Sequence, residues 1–238
     1  MKRYSPYILM LGLFAALVGC SPSSGAEEKQ LPVIAKSFDL KDVKFSVLSK
    51  SVDGVGTLAD VKKSYGASLL LATNGGIFEP NFEPSGLLVV DSVECSPINL
   101  KKGKGNFYLQ PNGVFSIEAG VAKIAETTAY HTSKVTAELA IQSGPLLLAG
   151  GEIHKQLKEE STHRYTRNGI GLSSDGRVHI AYFHKRCSLY FMASYFKDEL
   201  GCHSALYLDG AISGVLTKTH SMNLNREYAS IIVLSSLK

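Results

Sequence analysis

Short apolar runs closed by glycine, asparagine or proline recur from residue 45 to the C-terminus, and this rhythm constrains the fold more than any other feature of the chain. Residues 45–48 read as a strand. Residues 67–72 form a continuous apolar run that stops at Thr73, Asn74, Gly75 and Gly76, as expected of a buried strand feeding a loop. Residues 106–110 and 114–117 flank Pro111-Asn112-Gly113 and predict a hairpin, because Asn-Gly readily supplies the positive φ angles of tight turns. Residues 139–141 and 146–148 read as a further hairpin-like unit ahead of Gly150 and Gly151, and 169–172 is expected to pair with 177–183 across Ser174, Asp175 and Gly176. Residues 205–208 and 228–234 supply two more strands. Helices are few. Thr57 followed by Asp60 opens a short one through Tyr65, ended by Gly66, with Leu58 and Val61 on its buried side. Ser188 caps another, apolar at 189, 192, 193, 196 and 200, with Gly201 just past its end. Strands joined by hairpins with two or three helices predict an α+β class, and argue against alternating βαβ winding.

At 238 residues, 45% hydrophobic and 19% charged, the chain can bury a sizeable core, and it reads as one domain. The formal charge of +4 drops to +2 once Lys2 and Arg3 are set aside, too little to suggest a nucleic-acid partner. Those two cations precede an apolar run at residues 8–18, shorter than the roughly 20 residues a membrane-crossing helix needs, so residues 1–19 are expected to be a signal peptide. The next segment, Leu17-Val18-Gly19-Cys20, resembles the bacterial lipobox, which implies acylation of Cys20 and a lipid anchor in the membrane. Ser21 stands where an Asp would retain such a protein on the inner membrane, so the resemblance implies an outer-membrane lipoprotein of the cell envelope, facing the periplasm. Residues 20–30 then form the lipidated cysteine and a polar tether, and 31–238 the folded domain. Three other cysteines remain. The helix from Ser188 would hold Cys187 and Cys202 about 20 Å apart, beyond disulfide reach, so that pair is expected to stay unbridged.

The chain lacks a G-x-S-x-G elbow, an H-E-x-x-H pair, a P-loop and paired C-x-x-C motifs, which removes the usual signatures of serine hydrolases, zinc proteases, NTPases and zinc ribbons. The histidines are scattered. No metal or other cofactor is expected. Four polar, glycine-rich segments at strand ends remain as candidates for a site: Asn74-Gly75-Gly76, Gln142-Ser143-Gly144-Pro145, Arg167-Asn168-Gly169 and Asp209-Gly210-Ala211-Ile212-Ser213. Each alone is as well explained by turn chemistry, and Asp-Gly recurs at plain turns.

Together, ATNGGIF at 72–78, GNFYLQPNGVF at 105–115, AIQSGPLLL at 140–148, RNGIG at 167–171 and ALYLDGAIS at 205–213 resemble, in that order, the phosphodiester glycosidase family, nearest to its bacterial branch. The resemblance covers roughly residues 45–217. It implies a mixed, twisted β-sheet rich in hairpins with flanking helices, and hydrolysis that removes a sugar from a phosphodiester. Ala211 stands where many members carry another glycine, Ser213 matches, and His163 and Arg164 fall where relatives often have smaller or less polar residues, departures that bear on the rim and leave the choice of substrate open. On such a substrate, a sugar joined through its anomeric oxygen to phosphate, the leaving group is already acidic and the demand is for charge stabilisation. Arg167 offers a planar fork for two phosphate oxygens, with amides of the Asn74-Gly75-Gly76 loop as further donors. Asp209 is the candidate catalytic carboxylate, as cation stabiliser, nucleophile or base. Asn74, Gln142, Ser143, Gly144, Asn168, Gly210 and Ser213 are candidate substrate contacts, and Glu160 a candidate second carboxylate that could equally be a solvated charge in its charge run. A salt bridge from Arg167 to Asp209 that only braces two loops, and a non-catalytic lipoprotein that binds envelope glycan, are the alternatives to a catalytic site acting on a sugar phosphate.

Overall fold

The computed structural model describes residues 31–210 and 212–237. Residues 1–30, with Cys20, the signal segment and the tether, and also Ala211, lie outside the described residues.

The fold is α+β and rich in strands, which divide among three sheets. The first runs in the order β1 (Val33–Phe38), β12 (Val178–Cys187), β11 (Tyr165–Ser173), β13 (Cys202–Tyr207), β9 (Leu146–Ala149) and β10 (Glu152–Ile153). The second runs β15 (Ser221–Met222), β14 (Val215–Thr217), β3 (Leu69–Asn74), β16 (Ser230–Ser236) and β2 (Val43–Ser49). The third runs β5 (Val93–Ser96), β4 (Leu88–Val90), β8 (Leu139–Ser143), β6 (Gly113–Glu118) and β7 (Val121–Glu126). Every pairing among them is antiparallel, so the expected mixed sheet resolves into three antiparallel ones. The short connections favour this, because parallel neighbours require long crossovers.

One apolar core joins all three sheets: Ile170 and Leu206 from the first, Leu71 and Ile232 from the second, Phe115 and Ile141 from the third. Period-two alternation sends the other face of β13, with Ala205 and Tyr207, into a separate cluster beneath the helix Leu189–Ser194. That helix starts where expected, with Ser188 Oγ accepting from the Phe191 amide at 3.1 Å, and widens to a π turn over Tyr195–Glu199 before Gly201 turns the chain at φ +62°. Cys187 and Cys202 flank it without a disulfide between them, as expected. The helix Leu58–Tyr65 is capped by Thr57 Oγ1, which accepts from the Asp60 amide at 3.1 Å, and buries Leu58 and Val61 against the second sheet.

Two expected hairpins are replaced. Asn106–Tyr108 forms a 3-10 turn, not a strand, and Asn112 folds the loop onto itself by donating Nδ2 to the Phe107 carbonyl at 2.9 Å. The tight turn forms further on, between β6 and β7, where Ala119 and Gly120 both take positive φ. Residues 139–141 and 146–148 do not pair with each other: β8 belongs to the third sheet and β9 to the first. Gly144 lets the chain cross between them, since a Cβ there would stand 2.7 Å from both the Asn112 Cβ and the Phe107 carbonyl. The pairing of β11 with β12 across Ser174–Gly176 is as expected.

Candidate active site

A cleft of about 1040 Å³ opens against the first sheet, and its wall includes Arg167, Tyr207 and Asp209. Strand geometry explains the grouping. Gly169 on β11 lies opposite Tyr207 on β13, and because side chains alternate in direction, Arg167, Tyr207 and Asp209 belong to the same face of the first sheet. Aromatic residues Phe78, Phe107, Tyr108, Tyr165 and Tyr190 also line the cleft, as do Glu160 and His163 from the segment between β10 and β11.

Arg167 is 1% exposed, an expensive position for a cation unless it is well held. Its Nε donates to the Cys187 carbonyl at 2.8 Å and its Nη2 to the His163 carbonyl at 2.9 Å. The guanidinium carbon stands 5.4 Å from the ring centres of both Tyr165 and Tyr207. Nη1 has no hydrogen-bond partner among the described residues. The guanidinium is thus fixed on one side and left with a donor on the other.

Asp209 is partly exposed at the end of β13. Burial pushes its carboxyl up to about 6, against the opposing pull of its hydrogen bond from the Gly210 amide and of Arg226. No ion pair joins Asp209 to Arg167 among the described residues. The bracing salt bridge is therefore not formed, and acid and cation face the cleft separately. Tyr207, 2% exposed, shares the cleft wall with both. Burial raises its phenol above the ordinary range, with Arg167 and the Asn106 side chain pulling it down and Asp209 adding to the rise. The hydroxyl therefore stays protonated, a neutral donor beside the unpartnered Nη1. Gly210 permits this packing, because a Cβ there would collide with the Tyr207 hydroxyl.

Most of the other expected site residues lie beneath the wall. Asn168 is fully buried and ties the first two sheets together: its Nδ2 donates to Thr73 Oγ1 at 2.8 Å and to the Asn74 carbonyl at 2.9 Å, while its Oδ1 accepts from the Asp209 amide at 3.1 Å and Ser213 Oγ at 3.2 Å. Asn74 Oδ1 accepts from the Gly214 amide at 3.0 Å, and Ser143 Oγ donates to the Leu208 carbonyl at 2.6 Å. Gln142 accepts from the Leu87 and Asn99 amides at 3.0 and 2.8 Å and donates to the Asn99 carbonyl at 2.8 Å. The Gly75 amide donates to the Ser230 carbonyl at 2.9 Å, and a Cβ on Gly76 would stand 2.8 Å from the Gln142 carbonyl. None of Asn74, Gly75, Gly76, Gln142, Ser143, Gly144, Asn168, Gly210 or Ser213 lines the cleft, whereas Arg167, Asp209 and Glu160 do. Tyr207 and Asn106 escaped the sequence reading, although alternation from Asp209 marks Tyr207 as its same-face neighbour.

Residues 67–234 match the family model described as phosphodiester glycosidase. The chain is 32% identical over 161 residues, 68% of its length, to the uncharacterized protein YigE of Escherichia coli K12, and the match spans 62% of that relative. In structure it is similar to the zebrafish N-acetylglucosamine-1-phosphodiester alpha-N-acetylglucosaminidase catalytic domain, with a TM-score of 0.61 at 14% identity over 92% of this chain and 85% of that one. It also resembles a hypothetical protein from Synechocystis, with a TM-score of 0.58 at 11% identity over 87% and 59% of the two chains. At such identities the structural likeness speaks for the fold alone.

Proposed function

The chain belongs to the phosphodiester glycosidase family, and from that premise we propose that it hydrolyses the bond between the anomeric carbon of a sugar and the phosphate of a phosphodiester. The observation that carries this reading is the pairing, in one cleft, of a buried guanidinium with a spare donor and a carboxylate not neutralised by it.

In the reaction the C1–O bond breaks and its electron pair leaves with the phosphate oxygen. Water supplies the oxygen that bonds to C1, and the released proton is shared with solvent and the new phosphate monoester. Charge of opposite sign develops at the two ends of the breaking bond. Arg167 Nη1 and the Tyr207 hydroxyl hold the phosphate end, preorganised in a poorly solvated wall where such donors count for more than in water. Asp209, ionised above about pH 6, faces the sugar end, where a carboxylate serves by stabilising the cation, attacking it or activating water. Activity should therefore rise as pH passes through about 6. The aromatic side chains supply apolar faces for the sugar ring. A lipid on Cys20 would tether this chemistry to the bacterial envelope, the outer membrane being the proposed site and an envelope glycan phosphate the proposed substrate.

The test is to incubate the purified protein with sugar-1-phosphodiesters and follow release of free sugar. Turnover by the parent and its loss in Asp209→Asn are expected. Binding without turnover by the parent would show a glycan-binding lipoprotein instead.

A further inference from the structure

β11 and β12 keep register from Leu172 opposite Val178 as far as Arg167 opposite Phe183, and then slip, the next partners being Tyr165 and Cys187. The chain of β12 therefore carries His184, Lys185 and Arg186 against the single residue Thr166. Such a bulge re-aims side chains and is typical of rims next to sites. Here it turns Lys185 and Arg186 out to solvent.

The bulge does not leave Arg186 loose. Its Nε donates to the Arg164 carbonyl at 2.9 Å, and its guanidinium carbon stands 5.6 Å from the centre of the Tyr165 ring. Arg167 approaches that same ring at 5.4 Å. Tyr165 lines the cleft and is 42% exposed. One ring thus links the guanidinium in the wall to a second at the rim, and the exposed His163 lies beside it on the cleft's edge.

A substrate with one phosphate uses Arg167 alone and leaves the rim cations without a counterpart. We propose that Tyr165, Lys185 and Arg186 form a second anion subsite, so that the substrate is a glycan chain carrying a further phosphate on the leaving-group side of the bond that is cut. This rests on the glycosidase reading above and names the class of its substrate. Tyr165 offers a face for the intervening sugar or alcohol, and the guanidinium and ammonium meet the next phosphate in the open, where the attraction is screened by salt.

The experiment compares two synthetic probes that share the same sugar-1-phosphodiester, one with a neutral leaving alcohol and one whose alcohol bears a second phosphodiester. The readout is the ratio of their kcat/KM values, with binding of non-hydrolysable versions measured by calorimetry. The parent should favour the doubly charged probe about fivefold, as an exposed charge pair allows. That preference should shrink towards one in Arg186→Gln and in Lys185→Gln, and in the parent at high salt. A parent ratio of one, or variants that lower both rates by the same factor, would overturn the subsite. Absence of turnover on both probes would count against the glycosidase reading instead, and the calorimetric preference would then judge the subsite by itself. Vesicles of phosphatidylcholine with and without phosphatidylglycerol complete the design: vesicle binding that depends on Arg186, with no preference between the probes, would assign the rim to a membrane surface and overturn the proposal.

Discussion

The floor beneath the cleft and the wall that lines it are built from the same kinds of polar residue, yet they differ in what they leave unmade. In the floor, Asn74, Gln142, Ser143, Asn168 and Ser213 direct their side chains to backbone and to each other. In the wall, Arg167 keeps an Nη1 with no partner among the described residues, and Asp209 carries a carboxyl whose pKa burial has raised. Buried polar groups are nearly always satisfied, so an exception at a cleft points to chemistry rather than architecture. The contrast teaches that polarity at a strand end is a poor guide to a site, and spare hydrogen-bonding capacity a better one.

Substitutions should separate the two regions. Asp209→Asn is expected to have the largest effect, a loss of about a thousandfold in turnover, with no loss of stability at neutral pH. Because the folded pKa lies above the unfolded one, ionisation of Asp209 favours the unfolded chain, and its contribution to stability is full below about pH 4 and lost as pH rises to about 6. Melting curves of parent and variant should accordingly draw apart in favour of the variant across that window, and stay parallel above it. Next comes Asn168→Ala, which strips the link between two sheets and should lower stability by about 3 kcal/mol in denaturant titration. Its turnover, measured well below its melting point, should fall far less than that of Asp209→Asn. If the two variants exchanged these signatures, the division between floor and wall would be wrong.

Arg167→Lys keeps a charge but not the fork, and should cost about a hundredfold in kcat/KM. Tyr207→Phe sharpens the comparison most finely, since it removes one donor while the ring stays packed. About a tenfold fall in kcat is expected, together with a stability change of about 1 kcal/mol from the lost hydrogen bond to the Asn106 side chain.

Much of the fold was legible. Thr57 and Ser188 announced their helices because an N-cap is a local device, and the hairpin across Asp175 and Gly176 declared itself for the same reason. Asn112-Gly113 misled, since whether Asn-Gly turns a hairpin depends on which strand comes to lie beside it, and here Gly113 already begins β6 between β7 and β8. The separation of β8 from β9 was hidden for a similar reason: it rests on a close approach at Gly144 by residues more than thirty positions away in the chain. At the site, Asp209 and Arg167 were visible as charges next to apolar runs, and they share the cleft. Asn74, Gln142 and Asn168 looked the same on paper, because no local pattern distinguishes an amide that bridges two sheets from one that meets a ligand. Tyr207 passed unnoticed inside an apolar strand, although counting back two residues from Asp209 leads to it.

The proposed reaction cuts carbon from oxygen at the sugar and not phosphorus from oxygen. Hydrolysis of a sugar-1-phosphodiester in water enriched in oxygen-18, followed by mass spectrometry of both products, tests it most directly. The label should appear at the anomeric position of the released sugar, with the phosphate monoester unlabelled. Label in the phosphate would contradict the account, since the bond broken would then be the one that Asp209 does not face.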